Sequence, residues 1–285
     1  MPPTSPTPTA ASSPLTAAAR IGCVSYLNAR PLIEGLDEAD DLHVRYDVPA
    51  RLLDDLLAGE VDVALCPVID FYRSPKPLRI VPAGAIGALG STMTVRLYSR
   101  VPVEKVSTIH ADTDSHTSVA LLHVLMNKRF GLHPEVIDYD AREHVADGKD
   151  VDSPEAVLLI GDKVVTDSPN TAEYPHQIDL SEVWREWTGL PFVFAVWMSL
   201  DGVDLGELPR RLEQVRIKNQ TRLHAIATKH APRHGWPDDL AHRYLAEILH
   251  FEVGSDQLRA IERFGELAGE LGIIDTPQPL RLHRL

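Results

Sequence analysis

Arg20-Ile21-Gly22-Cys23-Val24-Ser25-Tyr26-Leu27-Asn28-Ala29-Arg30-Pro31-Leu32 is the stretch on which the reading of this chain turns. Residues 21–24 form a compact apolar run bounded by two β-branched residues, too short for a helix, and read as a buried strand. The run stops at polar residues: Ser25, Tyr26 and Asn28 follow, and Pro31 stands where a first helical turn tolerates a missing N–H. In an open α/β sheet the carboxyl end of a strand faces the ligand crevice, which makes Ser25, Tyr26 and Asn28 candidate binding residues. The same residues also make a plain strand-to-helix turn in which Asn28 is a helix cap. The stretch alone leaves both readings open.

Working outward, residues 42–48 alternate like a second strand, and residues 49–58 carry Leu52, Leu53, Leu56 and Leu57 on one helical face, closed by Gly59. Val61-Asp62-Val63-Ala64-Leu65 gives a third strand leading to Cys66-Pro67, and this quick alternation of strand and helix predicts parallel pairing with right-handed crossovers. Residues 78–86 read as another strand. Gly87-Ala88-Leu89-Gly90-Ser91-Thr92 then leads into Met93-Thr94-Val95-Arg96-Leu97-Tyr98-Ser99. After a strand at 106–111, Asp112-Thr113-Asp114-Ser115-His116-Thr117-Ser118 opens an apolar helix that ends at Gly131. Free N–H groups at that start, with the Ser115, Thr117 and Ser118 hydroxyls, suit a carboxylate or phosphate, and three hydroxyls exceed what capping needs. Strands follow at 135–139 and 156–160. The second ends in Gly161-Asp162, where Asp162 is either a site group or a helix cap. Ser181 is expected to cap a helix, the turn Thr188-Gly189-Leu190-Pro191 follows, and Phe192 opens an apolar strand. Residues 204–272 read as about three helices.

With 285 residues, 44% hydrophobic and 24% charged, the chain has ample core for one large or two modest domains. Residues 1–19, rich in Pro, Thr, Ser and Ala, read as a disordered tail with neither a secretory signal nor a presequence. No stretch approaches a membrane span. The formal charge of −13 argues against a nucleic-acid partner, so an anionic ligand would have to be attracted locally. Cys23 and Cys66 read as inert core thiols and suit a reducing cytoplasm. There is no HExxH, paired-Cys, P-loop or GxGxxG pattern, so no metal, nucleotide or other cofactor is expected.

Taken in order, Val-Ser-Tyr-Leu-Asn-x-x-Pro-Leu at 24–32, the Met93–Ser99 word, Asp-x-x-Ser-x-Thr-Ser at 112–118, Gly161-Asp162 and the run Trp184 to Trp197 resemble the chorismate dehydratases of the futalosine route to menaquinone. The resemblance implies a two-lobed periplasmic-binding-protein-like (type 2) α/β fold with a ligand cleft. Residues 20–97 and 198–285, with the C-terminal helices, would form one lobe and residues 98–197 the other, joined by crossing strands near 96–100 and 194–200. It implies loss of water from chorismate to give 3-[(1-carboxyvinyl)oxy]benzoate, a carbon–oxygen lyase reaction, with the substrate's own enolpyruvyl carboxylate as the base. Asn28 and Thr94 would act at the reacting end. Ser25, Tyr26, Ser115, His116, Thr117, Ser118, Asp162, Pro191 and Phe192 would bind the substrate. Thr94 stands where the family carries serine, and the extra methyl stiffens the side chain. His116 stands where it carries arginine, which would weaken a carboxylate's attraction near neutral pH. The partner is a small anion, with no nucleic acid or membrane, and the oligomeric state, homo-oligomers included, is left open. A solute-binding protein for a small anion shares the fold but should be exported. The sister enzyme acting on cyclic dehypoxanthine futalosine also shares it but is expected to use a histidine that the matched words lack.

Overall fold

A computed structural model describes residues 18–140 and 154–285. The proposed tail therefore lies outside the described residues except for Ala18 and Ala19, and Ala19 already opens the first strand. Residues 141–153, between the strands expected at 135–139 and 156–160, lie outside them as well.

The first half-sheet is built as its sequence pattern predicts. Strand β1 (Ala19–Val24) pairs in parallel with β2 (Leu42–Asp47) and with β3 (Val63–Pro67). Between them run α1 (Arg30–Ile33), with Pro31 in its first turn, and α2 (Pro49–Ala58), which stops at Gly59 with φ 71°. A left-handed residue at that place is why glycine ends the helix. Helix α3 (Asp70–Arg73) leads to β4 (Leu78–Ala88). Then β5 (Val95–Ser99), β6 (Thr108–Asp112), α4 (His116–Val124), β7 (Glu135–Tyr139), β8 (Ala156–Ile160), α5 (Lys163–Thr166), β9 (His176–Asp179) and α6 (Leu180–Thr188) build a second unit. Strand β10 (Phe192–Leu200) returns to the first, and α7 (Leu208–Gln220), α8 (Leu223–His230), α9 (Asp238–Arg243), the two-residue β11 (Leu249–His250) and α10 (Ser255–Glu270) complete the chain.

Two sheets result, ordered β11-β4-β10-β3-β1-β2 and β7-β6-β8-β5-β9. They repeat one plan, three parallel strands followed by one antiparallel strand that arrives from the other half: β10 between β3 and β4, and β5 between β8 and β9. Every residue of β5 registers against β8, and β10 registers along its length with β4. The chain therefore passes between sheets at residues 89–94 and 189–191. Boundaries after 97 and 197 would cut through paired strands, so the crossing strands expected near 96–100 and 194–200 are corrected to these two short connections. The C-terminal helices also serve both units: α7 packs on β4 and α1, whereas α10 packs on β10 and also on α4 of the second unit.

Burial explains the stability of this plan. β3 and β8 are buried at every residue, as strands covered on both faces must be. Trp184, Phe192 and Phe264 meet edge to face, with centroids 5.1–6.2 Å apart, and tie α6, β10 and α10 into one core. At Gly87 an added Cβ would lie 2.7 Å from the Phe192 carbonyl oxygen, so only glycine lets β4 and β10 approach there. Beside it β10 carries one extra residue, with Val193 opposite Gly87 but Ala195 opposite Ile86, a bulge that turns both Phe194 and Ala195 towards the space between the sheets. Cys23 and Cys66 are buried free thiols, and burial pushes the Cys23 thiol up to about 12.

Candidate active site

The cleft lies where strand ends converge. Val24 closes β1, Pro49 follows β2, Pro67 closes β3, and Ile160 with Gly161 closes β8, all at carboxyl ends. Phe194 and Ala195 of β10, Ile86 of β4 and Leu249 of β11 supply apolar wall. The polar lining is Tyr26, Asn28, Thr92, Thr94, Ser115, Ser118 and Tyr244. Counting its open mouth, the cavity encloses about 540 Å³. Among the described residues that line it, none is Asp, Glu, Lys, Arg or His.

Thr94 is aimed by a strained connection. Met93, just before it, has φ 68°, a left-handed conformation that costs a non-glycine residue about 1–3 kcal/mol. Asp179 holds it there: its Oδ2 accepts from the Met93 N–H at 2.7 Å and from Ser91 Oγ at 2.8 Å. The Oδ1 of the same carboxylate accepts from the N–H groups of Ser181 and Glu182 at 3.1 and 3.3 Å, capping α6. Asp179, rather than the expected Ser181, is thus the cap, and it fixes the connection and the helix together. The result presents the Thr94 hydroxyl 2.8 Å from the Tyr244 hydroxyl. Asn28 lines the same cavity, and its Oδ1 is buried without a hydrogen-bond partner among the described residues. Asn28 therefore does not act as a helix cap; neither the turn at Leu27–Ala29 nor α1 has a side-chain cap bond. Tyr244 is buried, and that burial pushes its phenol far above the usual range.

Across the cleft, Ser115 caps the nine-residue helix α4, its Oγ accepting from the Ser118 N–H at 3.4 Å and lying 3.1 Å from Ser118 Oγ. Both hydroxyls line the cavity at the positive end of that helix, a place that favours an anion. Tyr26 rests its ring 3.4 Å from the position a Cβ would take on Gly161, and its hydroxyl donates to Asp114 at 2.8 Å.

Other expected site residues are placed elsewhere. Ser25 is exposed and is not part of the lining. Thr117 is fully buried and accepts from the Ile69 N–H at 3.2 Å, joining the two units. His116 turns the same way, its Nδ1 2.9 Å from Asp70 Oδ1, and the hydrogen bond to Asp70 raises its pKa above the ordinary 6.5. The histidine in the arginine position is thus engaged by a carboxylate of the protein. Asp162 is engaged too: it accepts from the Leu27 N–H at 3.4 Å and Trp236 Nε1 at 3.0 Å, and lies 2.7 Å from His234 Nδ1. It does not cap α5. Pro191 and Phe192 belong to the core, with the Pro191 carbonyl accepting from Trp184 Nε1 at 2.9 Å. Two lining groups escaped the sequence reading, Thr92 and Tyr244. Tyr244 lies 150 residues from Thr94 in an apolar helical pattern that reads as core.

Among the described residues no three His, Cys, Asp or Glu side chains converge to hold a metal ion, and no helix is long and apolar enough to cross a membrane.

Comparison with known proteins places this arrangement. The alkanesulfonate-binding protein of Xanthomonas axonopodis pv. citri, solved with MOPS bound, superposes with a TM-score of 0.67 at 13% identity, over 97% of this chain and 100% of that one. At that identity the likeness speaks for the fold, a periplasmic-binding-protein-like one. A chorismate dehydratase of Thermus thermophilus is 30% identical over 265 residues, 87% of this chain and 94% of that protein. One of Campylobacter jejuni is 26% identical over 241 residues, covering 84% and 88%. Residues 19–270 match the model of the menaquinone biosynthesis family, and with the relative at 30% identity this establishes that the chain belongs to that family.

Proposed function

We propose that the protein is a chorismate dehydratase. The reaction removes the ring proton beside the hydroxyl-bearing carbon, breaks that carbon–oxygen bond and releases water, leaving the aromatic 3-[(1-carboxyvinyl)oxy]benzoate. It is a carbon–oxygen lyase reaction, and aromatisation drives it.

The observation that carries this reading is the neutrality of the cleft. The lining offers hydroxyls and an amide but no carboxylate, imidazole or amine that could remove a proton. That suits a substrate bearing its own base, the enolpyruvyl carboxylate, held close to the proton it takes. Ser115 and Ser118, at the start of α4, are suited to hold one carboxylate. Asn28 and Thr94, on the opposite wall, are suited to hold the departing hydroxyl. With a chain charge of −13, attraction for a dianion rests on these local dipoles. The two units would close over the ligand by bending at residues 89–94 and 189–191, excluding water from it. A cytoplasmic setting, where buried free thiols persist, completes the reading.

The test is to mix the purified protein with chorismate alone and follow ultraviolet absorbance and mass. Loss of one water at enzymatic rate supports the proposal. Thermal stabilisation by chorismate without turnover would point to a solute-binding protein, and no effect of either kind would remove chorismate from consideration.

A further inference from the structure

The neutral cleft contains one arrangement whose chemistry is directional. Tyr244 opens a π-helical turn, Tyr244–Ile248, directly after α9, an irregularity often found where a helix serves a site. Its ring is stacked on Trp236 at 4.6 Å and 21°, so the hydroxyl has little freedom to wander. That hydroxyl meets Thr94 Oγ1 at 2.8 Å. A phenol is a stronger acid than an alkanol and is the better donor of the two hydroxyls, so its own proton goes to Thr94 Oγ1. The Thr94 proton is left without a partner among the described residues and is available to the cleft, and the Asn28 oxygen, buried and unpartnered among them, is left as an acceptor.

We infer that Tyr244 is a positioning residue that orders a two-membered relay from Tyr244 to Thr94, so that Thr94 donates to the oxygen of the departing hydroxyl while Asn28 Oδ1 accepts that hydroxyl's proton. The inference rests on the dehydratase reading and adds to it the direction of each hydrogen bond at the reacting end. Two contacts of opposite sense define a hydroxyl, and an ether or a keto oxygen cannot satisfy both. As the carbon–oxygen bond breaks and negative charge gathers on the oxygen, the donated bond from Thr94 strengthens, and the bond from Tyr244 behind it strengthens in turn. No proton need leave the relay: the ring proton taken by the enolpyruvyl carboxylate passes to the departing oxygen, which leaves as water. Burial keeps the phenol protonated throughout the physiological range. The relay also accounts for the threonine in place of serine: the added methyl does no harm when the hydroxyl is aimed by a neighbour.

The test is a double-mutant cycle on chorismate turnover with Tyr244→Phe and Thr94→Val, two substitutions that keep shape and remove a hydroxyl. Tyr244→Phe should lower kcat about 10-fold and leave KM nearly unchanged, less than the roughly 100-fold expected when a direct donor such as Thr94 is removed. The double variant should fall no further than Thr94→Val alone, because Tyr244 acts through Thr94. An unchanged kcat in Tyr244→Phe, or fully multiplicative losses in the double variant, would overturn the relay. If Tyr244→Phe does not fold, a fluorinated tyrosine at 244, which keeps the hydroxyl and makes it a stronger donor, should alter kcat severalfold at unaltered Tm; an unaltered kcat would again overturn it. A wild-type protein that leaves chorismate intact would overturn the reaction and the relay together, whereas turnover by the wild type with a silent Tyr244→Phe would overturn the relay alone.

Discussion

Asn28 is useful to consider first because it lines the cleft with an unsatisfied polar group. Its side-chain oxygen is buried, with no donor to accept from among the described residues. An unsatisfied buried acceptor costs about 1–3 kcal/mol, a cost that a ligand hydroxyl would remove. Asn28→Ala should therefore leave Tm nearly unchanged, and it should lower turnover by about 100-fold or more; thermal melts and steady-state kinetics on one preparation would separate a site residue from a structural one. The neutrality of the lining predicts a pH response as well. Only two phenols in it can ionise, so kcat should stay level between about pH 6 and about pH 9, the range in which a catalytic histidine or raised carboxyl would produce a slope. A bell-shaped kcat profile would require a base that the lining does not contain.

At the scale of elements, the connection at residues 89–94 and the start of α6 act as one device joined by Asp179. Asp179→Ala should release Met93 from its left-handed conformation, uncap α6 and lower stability by about 2 kcal/mol. It should lower kcat as well, because Thr94 loses its bearing; a stability loss with intact kcat would mean that the connection holds its shape unaided. This device was legible in principle. Asp179-Leu180-Ser181-Glu182 is an N-cap followed three residues later by an acid, a stronger start signal than Ser181 alone. Most strands and α2 could be read from periodicity because one or both faces are buried. The two-residue β11 carries no period at all, and four C-terminal helices stand where about three were expected because π turns and short breaks interrupt the pattern. Asn28, Thr94, Ser115 and Ser118 stood in recognisable words, whereas Tyr244 reaches the site only through the packing of α9, which no local pattern reveals. Asp162 and His116 stood in the same words but turn to partners contributed by distant segments, Trp236 with His234 and Asp70.

At the scale of the whole molecule, those partners lie on the opposite unit. His116 meets Asp70, Thr117 meets Ile69, and Asp162 meets Leu27, His234 and Trp236, so the units are fastened on both sides of the cleft. The His116 contact is sensitive to pH. Because Asp70 raises the His116 pKa above 6.5, the stability it contributes is fully present below about pH 6.5 and is lost as pH rises through the raised value. The Tm difference between the wild type and His116→Gln should shrink over that window as melts are repeated at rising pH; a constant difference would show that the contact does not depend on the imidazolium. The exchange of β5 and β10 between the sheets has a consequence for inheritance. Either half of the gene, expressed alone, would encode a sheet missing an inner strand and exposing two raw edges, a state prone to aggregation. The halves cannot be recombined like beads on a string, so in this architecture duplication, loss and fusion act on the whole interlaced pair.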